Sequence, residues 1–138
     1  MTVGFRVDCF FYEAGHGDFV HSFFSTISYY LEKDGWGTKY PLLMNDLYYD
    51  QLRWSDVPVA RENLKKIEKE LSKLPPEKVI WDIQDLSKSP SWENNINTKV
   101  TDVSNYFATS DGKTFFEVLY KAMEASEEEK CDMTIQII

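Results

Sequence analysis

Histidine and cysteine are scarce in this chain, with two of each among 138 residues. That scarcity removes several kinds of chemistry. Cys9 and Cys131 stand far apart, which gives neither a disulfide framework nor a Cys-x-x-Cys metal clip, so both read as reduced thiols. His16 and His21 do not match the His-x-x-x-His spacing of a zinc site, and no metal site is expected. A Cys-His dyad would need Cys9, but Cys9 alternates with Val7 and Phe11 on an apolar face, where burial keeps a thiol inert. The six glycines form neither GxGxxG nor GxxxxGK[ST]; Gly15-His16-Gly17 and Asp111-Gly112-Lys113 therefore read as turns, and no cofactor is expected.

Basic residues are also in deficit. The 15 Lys and Arg are outnumbered by 23 Asp and Glu, giving a net charge of -8 that repels phosphate backbones and anionic lipid heads. Direct binding to nucleic acid or a membrane surface is not expected, and a basic partner is. No apolar run approaches the ~20 residues of a bilayer span. Met1-Thr2-Val3-Gly4-Phe5-Arg6 lacks the basic and apolar regions of a secretory signal, so the expected location is the cytoplasm.

What is present is globular. Hydrophobic residues at 43% and charged residues at 28% predict one domain over residues 1–138. The aromatic share of 15% exceeds what one core needs, so some Tyr and Trp are expected at the surface as interface anchors. Val3, Phe5, Val7, Cys9 and Phe11 alternate as one strand over 3–12. Phe19, Val20, Phe23, Phe24, Ile27 and Leu31 mark a helix over 18–33, and Pro41 opens a short helical stretch. Ala60, Leu64, Ile67, Leu71 and Leu74 form the narrow apolar seam of an exposed helix that Pro75-Pro76 stops. Val79, Trp81 and Ile83 read as the core face of a short strand, 87–101 as a long loop, and 105–109 as another strand. Ser110-Asp111-Gly112 starts a last helix with Phe115, Phe116, Leu119 and Met123 inward, and Met133, Ile135 and Ile137 alternate in a final strand. The predicted class is α+β, with a small, mostly antiparallel or mixed sheet of about four strands and helices packed on one side.

Acid pairs such as Asp46 with Asp50, Asp82 with Asp85 and Asp111 with Glu117 could each hold a general acid and base. In so acidic a chain such pairs arise by chance, so no catalytic residue is assigned. Glu124, Glu127, Glu128, Glu129 and Asp132, against Lys130, supply half of the net charge. Acids oppose the dipole at a helix C-terminus, so the helix is expected to end before this run and leave a polar loop. Asp46, Tyr48, Tyr49, Asp50 and Trp54 mix acid with aromatic and suit an interface better, and Trp92 with Glu93 in the long loop is a further candidate. The predicted partner-binding residues are Asp46, Tyr49, Asp50, Trp54, Trp92 and Glu93.

These segments together resemble the bacterial immunity protein 70 family. The resemblance rests on His21-Ser22-Phe23-Phe24-Ser25-Thr26-Ile27, on Trp36-Gly37, on Met44-Asn45-Asp46-Leu47-Tyr48, on the run from Val79 through Lys88 with Pro90 and Trp92, and on Asn105-Tyr106-Phe107 with Thr109-Ser110-Asp111-Gly112. It implies a cytoplasmic α+β protein that binds and blocks a toxin domain encoded by the neighbouring gene, in many such loci a nuclease. A nuclease presents basic residues to phosphate, which an acidic protein can cover. The rival readings are a small acidic hydrolase or transferase and a general protein-binding adaptor.

Overall fold

The structure, a computed structural model, describes residues 2–88, 100–109 and 112–137. The alternating stretch near the start is two strands. β1 (Thr2–Val7) and β2 (Phe10–His16) form an antiparallel hairpin, with Val7 opposite Phe10 and Asp8 at φ 53 in the two-residue turn. Residues opposite each other share a sheet face, so the turn swaps the expected faces beyond Val7. Tyr12, opposite Phe5, packs against the core, Phe11 lies on the outer face, and Cys9 is exposed in the turn. Gly4 permits this arrangement, because a Cβ there would stand 2.5 Å from the Tyr12 carbonyl and 2.6 Å from the Phe11 ring.

Two of the expected strands are absent from the described residues. Val79 to Ile83 alternates, yet it joins no ladder among the described residues, and side chains of α1 (Gly17–Leu31) take the backbone groups of Ile80 and the carbonyl of Lys78. Ser22 Oγ donates to the Ile80 carbonyl at 2.8 Å, Ile80 N–H donates to Thr26 Oγ1 at 3.0 Å, and Tyr30 donates to the Lys78 carbonyl at 2.7 Å. Trp81 is accordingly half-buried instead of a core residue. Over 105–109 a 3-10 turn, Val103–Asn105, and a lone bridge between Ala108 and Thr114 replace the strand. The final strand is as expected: β3 (Met133–Ile137) pairs antiparallel with β1, and the sheet order is β2-β1-β3. The class is α+β, with three strands among the described residues.

α1, α2 (Val57–Leu71) and α3 (Phe115–Glu129) follow the apolar spacing. Their inward faces and the β1 side chains Val3, Phe5 and Val7 meet in a core rich in phenylalanine, where Phe23 touches Phe107 and Phe116 at ring separations of 5.4 and 5.3 Å. Arg6, Glu13 and Gln136 stand exposed on the opposite sheet face. Thr114, rather than Ser110 to Gly112, caps α3, forming a reciprocal capping box with Glu117. α3 does not stop before the acidic run. It continues through Glu129 to a left-handed cap at Lys130, φ 54. Each acid near that end costs about 0.3–1 kcal/mol, whereas burying Met123 alone contributes about 1.5–3 kcal/mol, and Arg61 pairs with Glu127 at 2.5 Å.

Candidate functional site

Beyond α1 the chain must turn twice before α2, and a buried carboxylate organises the first turn. Glu32, 4% exposed, accepts backbone N–H bonds from Gly37, Lys39 and Tyr40, each at 3.0 Å. This fixes the loop that carries Trp36. Gly37 adopts φ +79, and a Cβ there would collide with the Asn45 side-chain amide, so a residue without a side chain is required. After Pro41 the chain makes a π-helical turn, Leu42–Leu47, whose Met44 carbonyl receives the Trp36 indole N–H at 2.8 Å. The widened turn sets Leu43, Met44 and Leu47 into the core and leaves Asp46 half-buried at its rim.

Tyr48 and Tyr49 follow and point in different directions. The Tyr48 hydroxyl meets His21 Nδ1 at 2.6 Å, and His21 Nε2 meets Asp82 Oδ1 at 3.2 Å. An ionised Asp82 can only accept, so Nε2 donates to it, and in the neutral imidazole Nδ1 then accepts the Tyr48 O–H. Asp82 Oδ1 also takes the Gln84 N–H at 2.9 Å, and Lys88 Nζ lies 3.6 Å from Oδ2. The Gln84 N–H above all, then His21 and Lys88, hold this carboxyl below its ordinary range against the opposing effect of burial. Burial raises the Tyr48 phenol, with Tyr49 and Asp82 adding to the shift. Together these polar contacts pin Asp82 and the turn after it onto α1 and the π-helical turn.

Tyr49 is 68% exposed and lies over Tyr48 and Trp36 at ring separations of 4.8 and 5.9 Å, backed by a rigid aromatic layer. Beside it a shallow depression is lined by Asp46, Asp50, Gln51, Arg53 and Asp56. Trp54, 40% exposed, starts the 3-10 turn Trp54–Asp56, and its backbone N–H donates to Asp132 Oδ1 at 2.9 Å. Leu52, between them, pairs with Met133 at the start of β3. Of the four expected contact residues among those described, Asp46 and Asp50 line this depression, and Tyr49 and Trp54 are exposed next to its lining residues Asp50 and Arg53 in the chain. The fold brings Asp56 and Asp132 beside them. Trp92 and Glu93 lie outside the described residues.

The other sequence candidates lie elsewhere. Cys9 is in the hairpin turn, while His21 is engaged by Tyr48 and Asp82, and His16 caps α1 by accepting the Asp18 N–H at 3.1 Å. Asp85 closes an exposed turn on Ser87, and Asp111 lies outside the described residues. Glu124, Glu127 and Glu128 line a second depression with Arg61 and Tyr120, on the α2–α3 side. No group of three or more metal-binding side chains occurs among the described residues, and none of their helices is long and apolar enough to cross a membrane. The sequence reading missed the link from His21 to Asp82, since a contact between residues so far apart leaves no local pattern. Asp56, two residues beyond Trp54, was within its reach.

No curated protein and no solved structure matches the chain. The family model for immunity protein 70 matches residues 5–135, which takes in the hairpin from Phe5 onward, the three helices, the acidic and aromatic surface and β3 as far as Ile135. By that match the chain belongs to the immunity protein 70 family.

Proposed function

We propose that this protein neutralises a cognate secreted bacterial toxin in the cytoplasm by direct stoichiometric binding, and that the toxin is a nuclease with a basic substrate face. Membership of an immunity family supports toxin binding. The observation that carries the finer reading is the joint exposure of Tyr49 and Trp54 beside Asp46, Asp50 and Asp56, on a chain of net charge -8. Rigid aromatic rings supply contact area at little entropic cost, and the acids accelerate encounter with a basic surface. The protein in this reading has no catalytic role of its own; it acts by covering the toxin.

Co-expression with the toxin domain encoded by the neighbouring gene tests the function: cells survive with this protein and die without it. The surface is tested by the double substitution Asp46→Lys and Asp50→Lys, expected to slow association about tenfold at low ionic strength and to flatten its salt dependence. Association that is unchanged at every salt concentration places the toxin elsewhere.

A further inference from the structure

The two edges of the sheet differ. β2 carries Glu13 and an extra residue, Ala14, that shifts its register with β1, followed by Gly15 at φ 139. Bulges and charges of this kind blunt an edge against further pairing. β3 has neither: Met-Thr-Ile-Gln-Ile contains no charge and no glycine, and pairs with β1 without a break in register.

The backbone of β3 is also partly unused. Met133 donates to Leu52 at 2.8 Å and accepts from it at 2.9 Å, so its polar groups face away from β1. By the two-residue period of a strand, Ile135 and Ile137 present N–H and C=O to that same outer side, while Thr134 and Gln136 face β1. Leu52 fills only the first of these three places, and no backbone bond continues the ladder beyond it among the described residues. Ile137 is 60% exposed and Ile135 is half-buried, so the free edge also offers apolar contact. Acids flank the filled end: Asp132 directly precedes β3, and the depression holding Asp46, Asp50 and Asp56 adjoins Leu52.

We propose that an extended segment of the toxin adds to β3 as a further strand, opposite Ile135 and Ile137, with a Lys or Arg at the end that lies by Asp132 and Asp50. This rests on the toxin-binding reading above. Main-chain hydrogen bonds then hold the segment, its apolar alternate residues lie beside the two isoleucines, and the acids set its direction. A second copy of this chain would bring the same net charge of -8, which favours a basic partner over self-pairing.

Amide exchange on the full-length protein tests this by NMR, with and without the purified toxin domain from the neighbouring gene. In the free protein Ile135 and Ile137 are expected to exchange fast, and Thr134 and Gln136, paired with Arg6 and Gly4, slowly. In the complex the two isoleucine amides are expected to slow at least about tenfold. A complex that leaves them unchanged overturns the edge proposal while toxin binding stands. Absence of any complex overturns both. Protection that grows with concentration in the free protein assigns the edge to a second copy and also overturns the proposal. Ile137→Pro removes one outward N–H while keeping the β1 ladder, so binding is expected to weaken by roughly five- to tenfold with thermal unfolding unchanged. Wild-type affinity in a folded Ile137→Pro protein would overturn it as well.

Discussion

Replacing Glu32 with glutamine isolates what the buried carboxylate does for the Trp36 loop. The side chain keeps its shape and loses one of two equivalent oxygens. In the wild type Oε1 accepts from Gly37, and Oε2 accepts from both Lys39 and Tyr40. In Glu32→Gln the better orientation of the new amide turns its carbonyl toward Lys39 and Tyr40, which sets its NH2 group against the Gly37 N–H, donor facing donor. One charge-assisted bond is lost, two are weakened to neutral strength, and a buried donor is left without an acceptor. At about 1–3 kcal/mol for such a donor, plus the weakening of the others, the expected loss is about 2–4 kcal/mol. That is a large part of the roughly 5–15 kcal/mol that holds a domain folded. With a urea slope of about 1.5–2 kcal/mol/M, the unfolding midpoint should fall by roughly 1–2.5 M. The Gly37 amide should also lose protection ahead of Lys39 and Tyr40. A midpoint within about 0.3 M of wild type, the shift expected from a surface change of about 0.5 kcal/mol, together with a protected Gly37 amide, would refute the reasoning.

Asp82 has a depressed folded-state pKa, so its contribution is present above the unfolded value of about 3.9 and disappears as pH falls through the lower folded value. The stability difference between wild type and Asp82→Asn should therefore shrink as pH falls below about 4, as read from urea midpoints across that range. Gly37→Ala introduces a side chain at φ +79 against Asn45 and should cost about 2–4 kcal/mol. Adding Asn45→Ala should recover the part due to the contact and leave the part due to backbone strain. Equal midpoints for Gly37→Ala and wild type would remove the steric account.

Local periodicity makes the three helices and β3 legible, because each buries one face whose spacing can be counted directly in the chain. It misleads where tertiary partners decide. Alternation runs unbroken through Asp8 and Cys9, with no Gly or Asn to mark the turn, so a hairpin reads as one strand. Val79 to Ile83 has the pattern of a strand, but Ser22 and Thr26 take the Ile80 hydrogen bonds that a neighbouring strand would have taken. A dipole argument ends α3 too early because it counts charges and omits the apolar face beneath them. At the candidate surface, Asp46, Tyr49, Asp50 and Trp54 can be grouped because they are near neighbours in sequence. Asp132 joins them only through the fold, by accepting the Trp54 N–H.

The position of β1 between its two neighbours also orders events in time. Its pairing with β2 closes a two-residue turn, a process of microseconds, whereas its pairing with β3 brings together residues from opposite ends of the chain, as far apart as Val3 and Ile137. The loop entropy of that second closure makes it a late step, completed after the helices have gathered. The Leu52–Met133 bridge and the free edge beside it exist only once that step is done. A partner that docks there would thus recognise the finished molecule and pass over its folding intermediates, so the onset of protection in a cell should follow the slow phase of folding and not the appearance of helix.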